Sequence, residues 1–187
     1  MPYWLLTSTT YGTWLPGDQR GSVTSVRDAR PGEAKASSRR EHDRFGEACE
    51  PAMPGIRSSA AGLLKGPVVW LTVDQAHTVI SQLKETAEYR GWRLLVAAVM
   101  RNHFHVVIGS REDVDPRKVL NDLRAYSSRR LSRDFGRPAS GKWWTRNGSR
   151  RWLFDEEAIY AAINYVLHKQ PNPQAVWSPE SDEGQPN

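Results

Sequence analysis

The triplet His103-Phe104-His105 stands inside the apolar run from Leu94 to Ile108, and two imidazoles at that spacing can do metal chemistry. In an extended strand alternate side chains share a face, so His103 and His105 point one way and Phe104 the other. Their α-carbons then lie roughly 6.6–7 Å apart, within reach of one divalent ion. Burying two imidazoles costs free energy unless their ring nitrogens are occupied. Two arrangements meet that condition: a shared cation, or a pair of core histidines bonded to backbone carbonyls.

Tyr165 is the second group with chemistry in it. Ile159, Ala162, Ile163 and Val166 form the apolar stripe of its helix, and Tyr165 lies about 110° from the centre of that stripe. It is a flank position, shared one turn later by Lys169. Flank tyrosines are ordinarily packing residues, but a phenol becomes a nucleophile where nearby positive charge favours the phenolate.

Charge is concentrated in one block. Between Asp115 and Asp155 there are eleven Lys and Arg against four aspartates, although the whole chain is only +5. Trp143, Trp144 and Trp152 are interleaved with the second half of that block. Guanidinium and ammonium groups neutralise phosphates, and flat aromatic faces stack unpaired bases. The plainer reading is a solvated helix face followed by an exposed hairpin. The candidates for phosphate contact are Arg124, Arg146 and Arg150, with Trp143 or Trp144 for base stacking. If Lys142–Arg146 is a strand, one of the adjacent tryptophans faces inward, so both cannot stack.

These groups need elements to position them. Tyr3–Thr10 is rich in β-branched and aromatic residues and reads as a first strand. From Gly21 to Gly66 no period is sustained, and this stretch reads as a long insertion with a short helix near Glu33–Glu47. Thr72-Val-Asp-Gln75 fits a capping box, opening a helix that ends near Arg90-Gly91. The two strands that meet at Arg101-Asn102 follow, then a helix over about Pro116–Phe135 with Val119, Leu120, Leu123, Tyr126, Ser127 and Leu131 inward. Asn147-Gly148 between Lys142–Arg146 and Arg150–Phe154 predicts a hairpin. Asp155 caps a last helix that stops before Pro171.

The expected fold class is α+β: a ferredoxin-like (RRM-like) sandwich with a central, mostly antiparallel sheet and helices on one face. One domain is expected over residues 1–175, with the insertion at about 21–66 and a polar, frayed tail over 176–187. The single cysteine, Cys49, rules out an internal disulfide and points to a reducing cytoplasm. No run reaches the length of a membrane span, and no signal peptide is evident.

Three blocks carry a family resemblance: Met100-Arg-Asn-His-Phe-His-Val-Val107, Trp143-Trp-Thr-Arg-Asn-Gly148 and Tyr165-Val-Leu-His-Lys-Gln-Pro-Asn-Pro173. In these blocks the chain resembles the single-tyrosine HUH transposases of small insertion sequences and the REP-associated tyrosine transposases. The likeness runs from the first strand to Pro173, most of the insertion excepted. It implies a divalent ion, Mg²⁺ or Mn²⁺, on His103 and His105, and a nucleophile at Tyr165. It also implies a third ligand near the end of the last helix. The family's commoner spacing for that ligand falls on Lys169, so Gln170 is the candidate, with His168 its competitor. Arg101 stands where the family more often has proline.

The chemistry so implied is metal-dependent cleavage and strand transfer on single-stranded DNA, with a hairpin near the cleaved site and a covalent 5′-phosphotyrosine intermediate. No nucleotide cofactor is expected, and the chain has no Gly-rich phosphate loop. Family members occur both as monomers and as homodimers that exchange tyrosine helices. Two rival classes fit parts of the sequence. A non-catalytic single-strand binding module explains the charge but not the histidines. A metal-dependent small-molecule hydrolase needs further ligands, for which Asp113 and Asp115 are the nearby carboxylates.

Overall fold

The computed structural model describes residues 1–20, 52–146 and 148–183. Its contacts divide the chain into two compact units, Met1–Thr13 with Gly66–Asn187, and Trp14–Lys65.

The larger unit is built on strands β1 (Tyr3–Thr9), β2 (Arg93–Val99), β3 (His103–Gly109), β4 (Ser149–Leu153) and β5 (Ala175–Trp177). Helices α2 (Val73–Arg90), α3 (Pro116–Phe135), α4 (Glu156–His168) and α5 (Pro179–Glu183) complete it. The spatial order is β4-β1-β3-β2-β5, with every neighbouring pair antiparallel. β1 and β2 are therefore parallel to one another with β3 inserted between them, the split arrangement of an α+β ferredoxin-like sandwich.

Local sequence accounts for the helix ends. Thr72 and Gln75 form the expected capping box, and Gly91 ends α2 in the left-handed region at φ 66°. The carboxylate of Asp115 accepts from Arg117 N at 2.7 Å and that of Asp155 from Ala158 N at 2.7 Å, so both later helices begin where their aspartates predict. In α3 the inward stripe is Val119, Leu120, Leu123, Ser127 and Leu131. Tyr126 lies beside it, half-buried, with the guanidinium groups of Arg90 and Arg129 over its ring.

The helices do not share one face. α2 and α3 pack on Leu6, Ala97, Val99, Phe104, Val106 and Ile108. α4 packs through Ala162 and Val166 on Leu5, Val96, Ala98, Met100 and Val107, the opposite face. This corrects the one-faced expectation. β2 and β3 are apolar at odd and even positions alike, and such a strand needs cover on both sides.

Two other expectations change. Lys142–Arg146 and β4 do not fold back on each other as a hairpin. Trp144 bridges Thr10 while Ser149–Leu153 pairs with Thr7–Tyr3, so both segments run along the same edge of β1. Asn147 itself lies outside the described residues. At Gly148 an added Cβ would stand 2.4 Å from the Thr7 carbonyl oxygen, which explains a glycine there without a turn. The tail expected to fray from residue 176 begins inside β5, which extends the sheet at β2. Ala175 is buried on the α2 side and Trp177 is half-buried against the same core, with Lys84 over its ring at 5.1 Å. A three-residue strand is too short to announce itself by period.

The smaller unit carries helix α1 (Pro54–Gly62), which buries none of its side chains. Within it the Asp18 carboxylate takes two bonds from Arg20, at 2.8 and 2.9 Å, which hold that carboxyl below its usual range. The helix expected near Glu33–Glu47 lies outside the described residues.

Candidate active site

β3 turns the side chains of His103 and His105 onto the α4 face of the sheet, as strand alternation requires. Their ring centroids are 4.8 Å apart, with the planes at 81°. The Tyr165 ring lies 5.5 Å from that of His105, delivered by the α4 of the same chain. α4 seats its apolar stripe on the sheet beside the histidines, and the flank position of Tyr165 becomes the position over the site. The tyrosine is 42% exposed, open to a large substrate, whereas His105 is buried.

Each imidazole is gripped from behind. Thr7, the cross-strand partner of His105, brings its hydroxyl to 2.6 Å from His105 Nδ1. Asn102 Oδ1 lies 2.6 Å from His103 Nδ1. A bond at Nδ1 leaves Nε2 as the nitrogen that can accept a cation, the arrangement by which second partners orient metal-binding histidines. Burial drives the His105 pKa down to about 3, with the His103 ring contributing and a Gln170 hydrogen bond opposing. At neutral pH the ring is unprotonated and its lone pair is available.

Gln170 stands at the foot of α4, past its C-terminus, with its side chain bonded to His105 and donating through Nε2 to the Tyr165 carbonyl at 3.3 Å. On an ideal helix it would point about 140° away from Tyr165. Departure from helical geometry before Pro171 brings it to the histidines. His168 is exposed. Two imidazoles and an amide are thus the donors that could hold a cation here. Among the described residues no group of three His, Cys, Asp or Glu does so. Asp113 is paired with Arg111 and Asp115 caps α3.

The candidate nucleic-acid contacts are on other surfaces. Arg124 donates to the carbonyls of Thr145 and, at 2.9 Å, Arg146, so it tethers backbone; burial lowers its pKa. Arg146 is exposed and, with Arg129, Arg137 and Lys142, lines a cleft of about 630 Å³ along α3. Arg150 lies opposite Leu6, facing the α3 side, and donates to the Gly148 carbonyl at 3.3 Å. Trp143 and Trp144 are only 6% and 5% exposed, which corrects the expectation that one of them stacks a base. Trp143 donates to Ser132 Oγ at 2.9 Å, and Trp144 packs edge-on against Phe104 at 5.1 Å. With no second strand turning one of them outward, both close the core. Trp152 is the tryptophan of this block that solvent reaches, at 58%.

Thr7 and Arg151 were not legible as site residues. Thr7 reads as one more β-branched strand residue, and Arg151 as one more charge in a basic block. Only the register, Thr7 with His105 and Arg151 with Leu5, brings them to this face.

Residues 68–148 match the family model described as transposase IS200 like. The chain is similar to the IS200-like transposases. The matched segment contains both histidines and ends ahead of β4, short of Tyr165 and Gln170. Among solved structures, that of a REP-associated tyrosine transposase bound to a REP hairpin superposes with a TM-score of 0.45 at 8% identity. The superposition covers 88% of this chain and 64% of that one, so the chain spans under two thirds of its relative's length. A candidate transposase from Deinococcus radiodurans R1 gives a TM-score of 0.41 at 16% identity, over 91% of this chain and 90% of the other. Both likenesses are too distant to carry a functional argument. No curated protein sequence matches the chain.

Proposed function

We propose that this IS200-like chain is a single-tyrosine DNA transposase, cutting and rejoining single-stranded DNA through Tyr165. The observation that carries the reading is the grouping of Tyr165, His105 and His103 on one sheet face of a single chain, at ring separations of 5.5 and 4.8 Å. His103, His105 and Gln170 would hold a divalent ion, Mg²⁺ or Mn²⁺, which would supply Lewis-acid charge to a non-bridging phosphate oxygen. Imidazoles with Nδ1 already engaged fit that role.

Tyr165 supplies the nucleophile. Its oxygen forms a bond to phosphorus as the bond from phosphorus to the 3′ oxygen breaks. The phenol loses a proton and the departing 3′ oxygen gains one, leaving a 5′-phosphotyrosine and a free 3′-hydroxyl. Charge and bond type are conserved, so the same step run backwards with another 3′-hydroxyl joins strands without a nucleotide cofactor. Thr7 and Asn102 hold the imidazoles, and α4 holds the phenol.

The substrate proposed is single-stranded DNA with a hairpin beside the cleaved linkage. Arg146 and its basic neighbours along α3 support phosphate contact there. The test is capture: incubate the protein with Mn²⁺ and a 3′-labelled library of single strands carrying a hairpin, denature, and sequence what stays attached. A covalent adduct that requires Tyr165 is expected. Complete absence of adduct across the library would overturn the proposal.

A further inference from the structure

A phosphodiester entering this site brings a negative charge, and an attacking phenolate brings another. A divalent ion on His103, His105 and Gln170 would offset part of that charge, and a fixed side-chain cation on the same sheet face would offset more. β4 supplies it.

Arg151 lies opposite Leu5 on β1, and Leu5 is buried beneath α4, so alternation sends the Arg151 side chain to the same face as the histidines and Tyr165. Its neighbours on that face of β4 define its position. Leu153 belongs to the core under α4, and Ser149 lies opposite Thr7, the residue that grips His105. Arg151 therefore stands between the α4 packing surface and the histidine row. It is half-buried there, and the Tyr165 phenol acts on its charge through space. Burial lowers its pKa and Tyr165 opposes that shift, but a guanidinium remains charged throughout the neutral range.

We propose that Arg151 is a catalytic residue whose guanidinium binds the non-bridging oxygens of the scissile phosphate, and then of the phosphotyrosine, on the β4 side of Tyr165. The inference rests on the transposase reading above. A planar fork of N–H donors matches two phosphate oxygens, and it can follow the phosphorus as its bond passes from the 3′ oxygen to the phenol. Lys169, exposed one turn along α4 from Tyr165, is a flexible point charge and serves as the control for general loss of positive charge.

The experiment measures single-turnover adduct formation on the oligonucleotide captured by the wild-type protein, 3′-labelled, with Mn²⁺. R151Q should slow the step by about 100-fold, as loss of one preorganised donor does, while the oligonucleotide still binds. K169Q should react near the wild-type rate. The decisive comparison uses the same strand with a neutral methylphosphonate at the cleaved linkage. With no phosphate charge to offset, R151Q and wild type should react at matching rates. R151K, which keeps a charge but loses the fork, should fall between them on the normal linkage and match wild type on the neutral one, and it answers the question if R151Q fails to fold. Wild-type rates for R151Q, or an equal deficit on both linkages, would overturn the assignment while leaving the transposase reading intact. Absence of any wild-type adduct would overturn both.

Discussion

The Thr7 hydroxyl lies 2.6 Å from Nδ1 of His105, across the pairing of β1 with β3. That one bond connects the first strand of the chain to the candidate metal site and leaves Nε2 as the nitrogen that can accept a cation. Removing it without changing shape should loosen the cation. Thr7→Val should weaken Mn²⁺ binding by about 10- to 100-fold, the usual cost of losing such a partner, while Thr7→Ser keeps most of the affinity. Titration calorimetry reads the difference, and equal affinities in all three proteins would remove Thr7 from the site.

Tyr165 is 42% exposed, so its hydroxyl contributes little stability. Tyr165→Phe should abolish the denaturation-resistant protein–DNA adduct and leave strand binding and the unfolding midpoint close to wild type. Gel shift and adduct assays on one preparation check this. An adduct surviving the substitution would identify a different nucleophile.

Acid should destabilise the fold through His105. The ring's folded value is about 3, driven there first by burial, below the ordinary 6.5 it has when unfolded. The unfolded chain therefore takes up a proton that the folded chain refuses, and stability present above pH 6.5 declines as pH falls toward 3. Urea unfolding of metal-free protein at pH 7 and at pH 4.5 should show a larger loss in wild type than in His105→Gln. Identical losses would place the ring in contact with water.

Gly148 has no room for a side chain. A methyl there would meet the Thr7 carbonyl oxygen at 2.4 Å and Leu120 Cδ2 at 2.7 Å. Gly148→Ala should cost about 1–3 kcal/mol by overpacking and, because it pushes on Thr7, should weaken Mn²⁺ binding as well. Unchanged stability would show that β4 can move away from β1 freely.

Trp144 belongs to the core. Trp144→Ala should destabilise the protein by about 3–5 kcal/mol, as large aromatic deletions do, with the loss visible in denaturant unfolding without DNA present. A fully stable variant with impaired strand binding would instead return Trp144 to the DNA surface.

Much of this was written into local order. Helices α2, α3 and α4 begin and end at their capping residues because a cap needs only its own neighbours in sequence. Strand alternation alone put His103 and His105 on one face, and helical period alone put Tyr165 on a flank. What local order left open was which faces meet. Continuous apolar strands are silent about whether one or both sides are covered, and α4 took the side opposite α2 and α3. Asn147-Gly148 carries the local chemistry of a hairpin, yet β1 pairs with segments on either side of it, and that competition is won by contacts well over a hundred residues apart in sequence. Thr7 and Gln170 reach His105, and Arg151 its sheet face, only through strand register and the end of a helix. Those are tertiary decisions, made by the summed burial of two apolar faces, which no window of sequence contains.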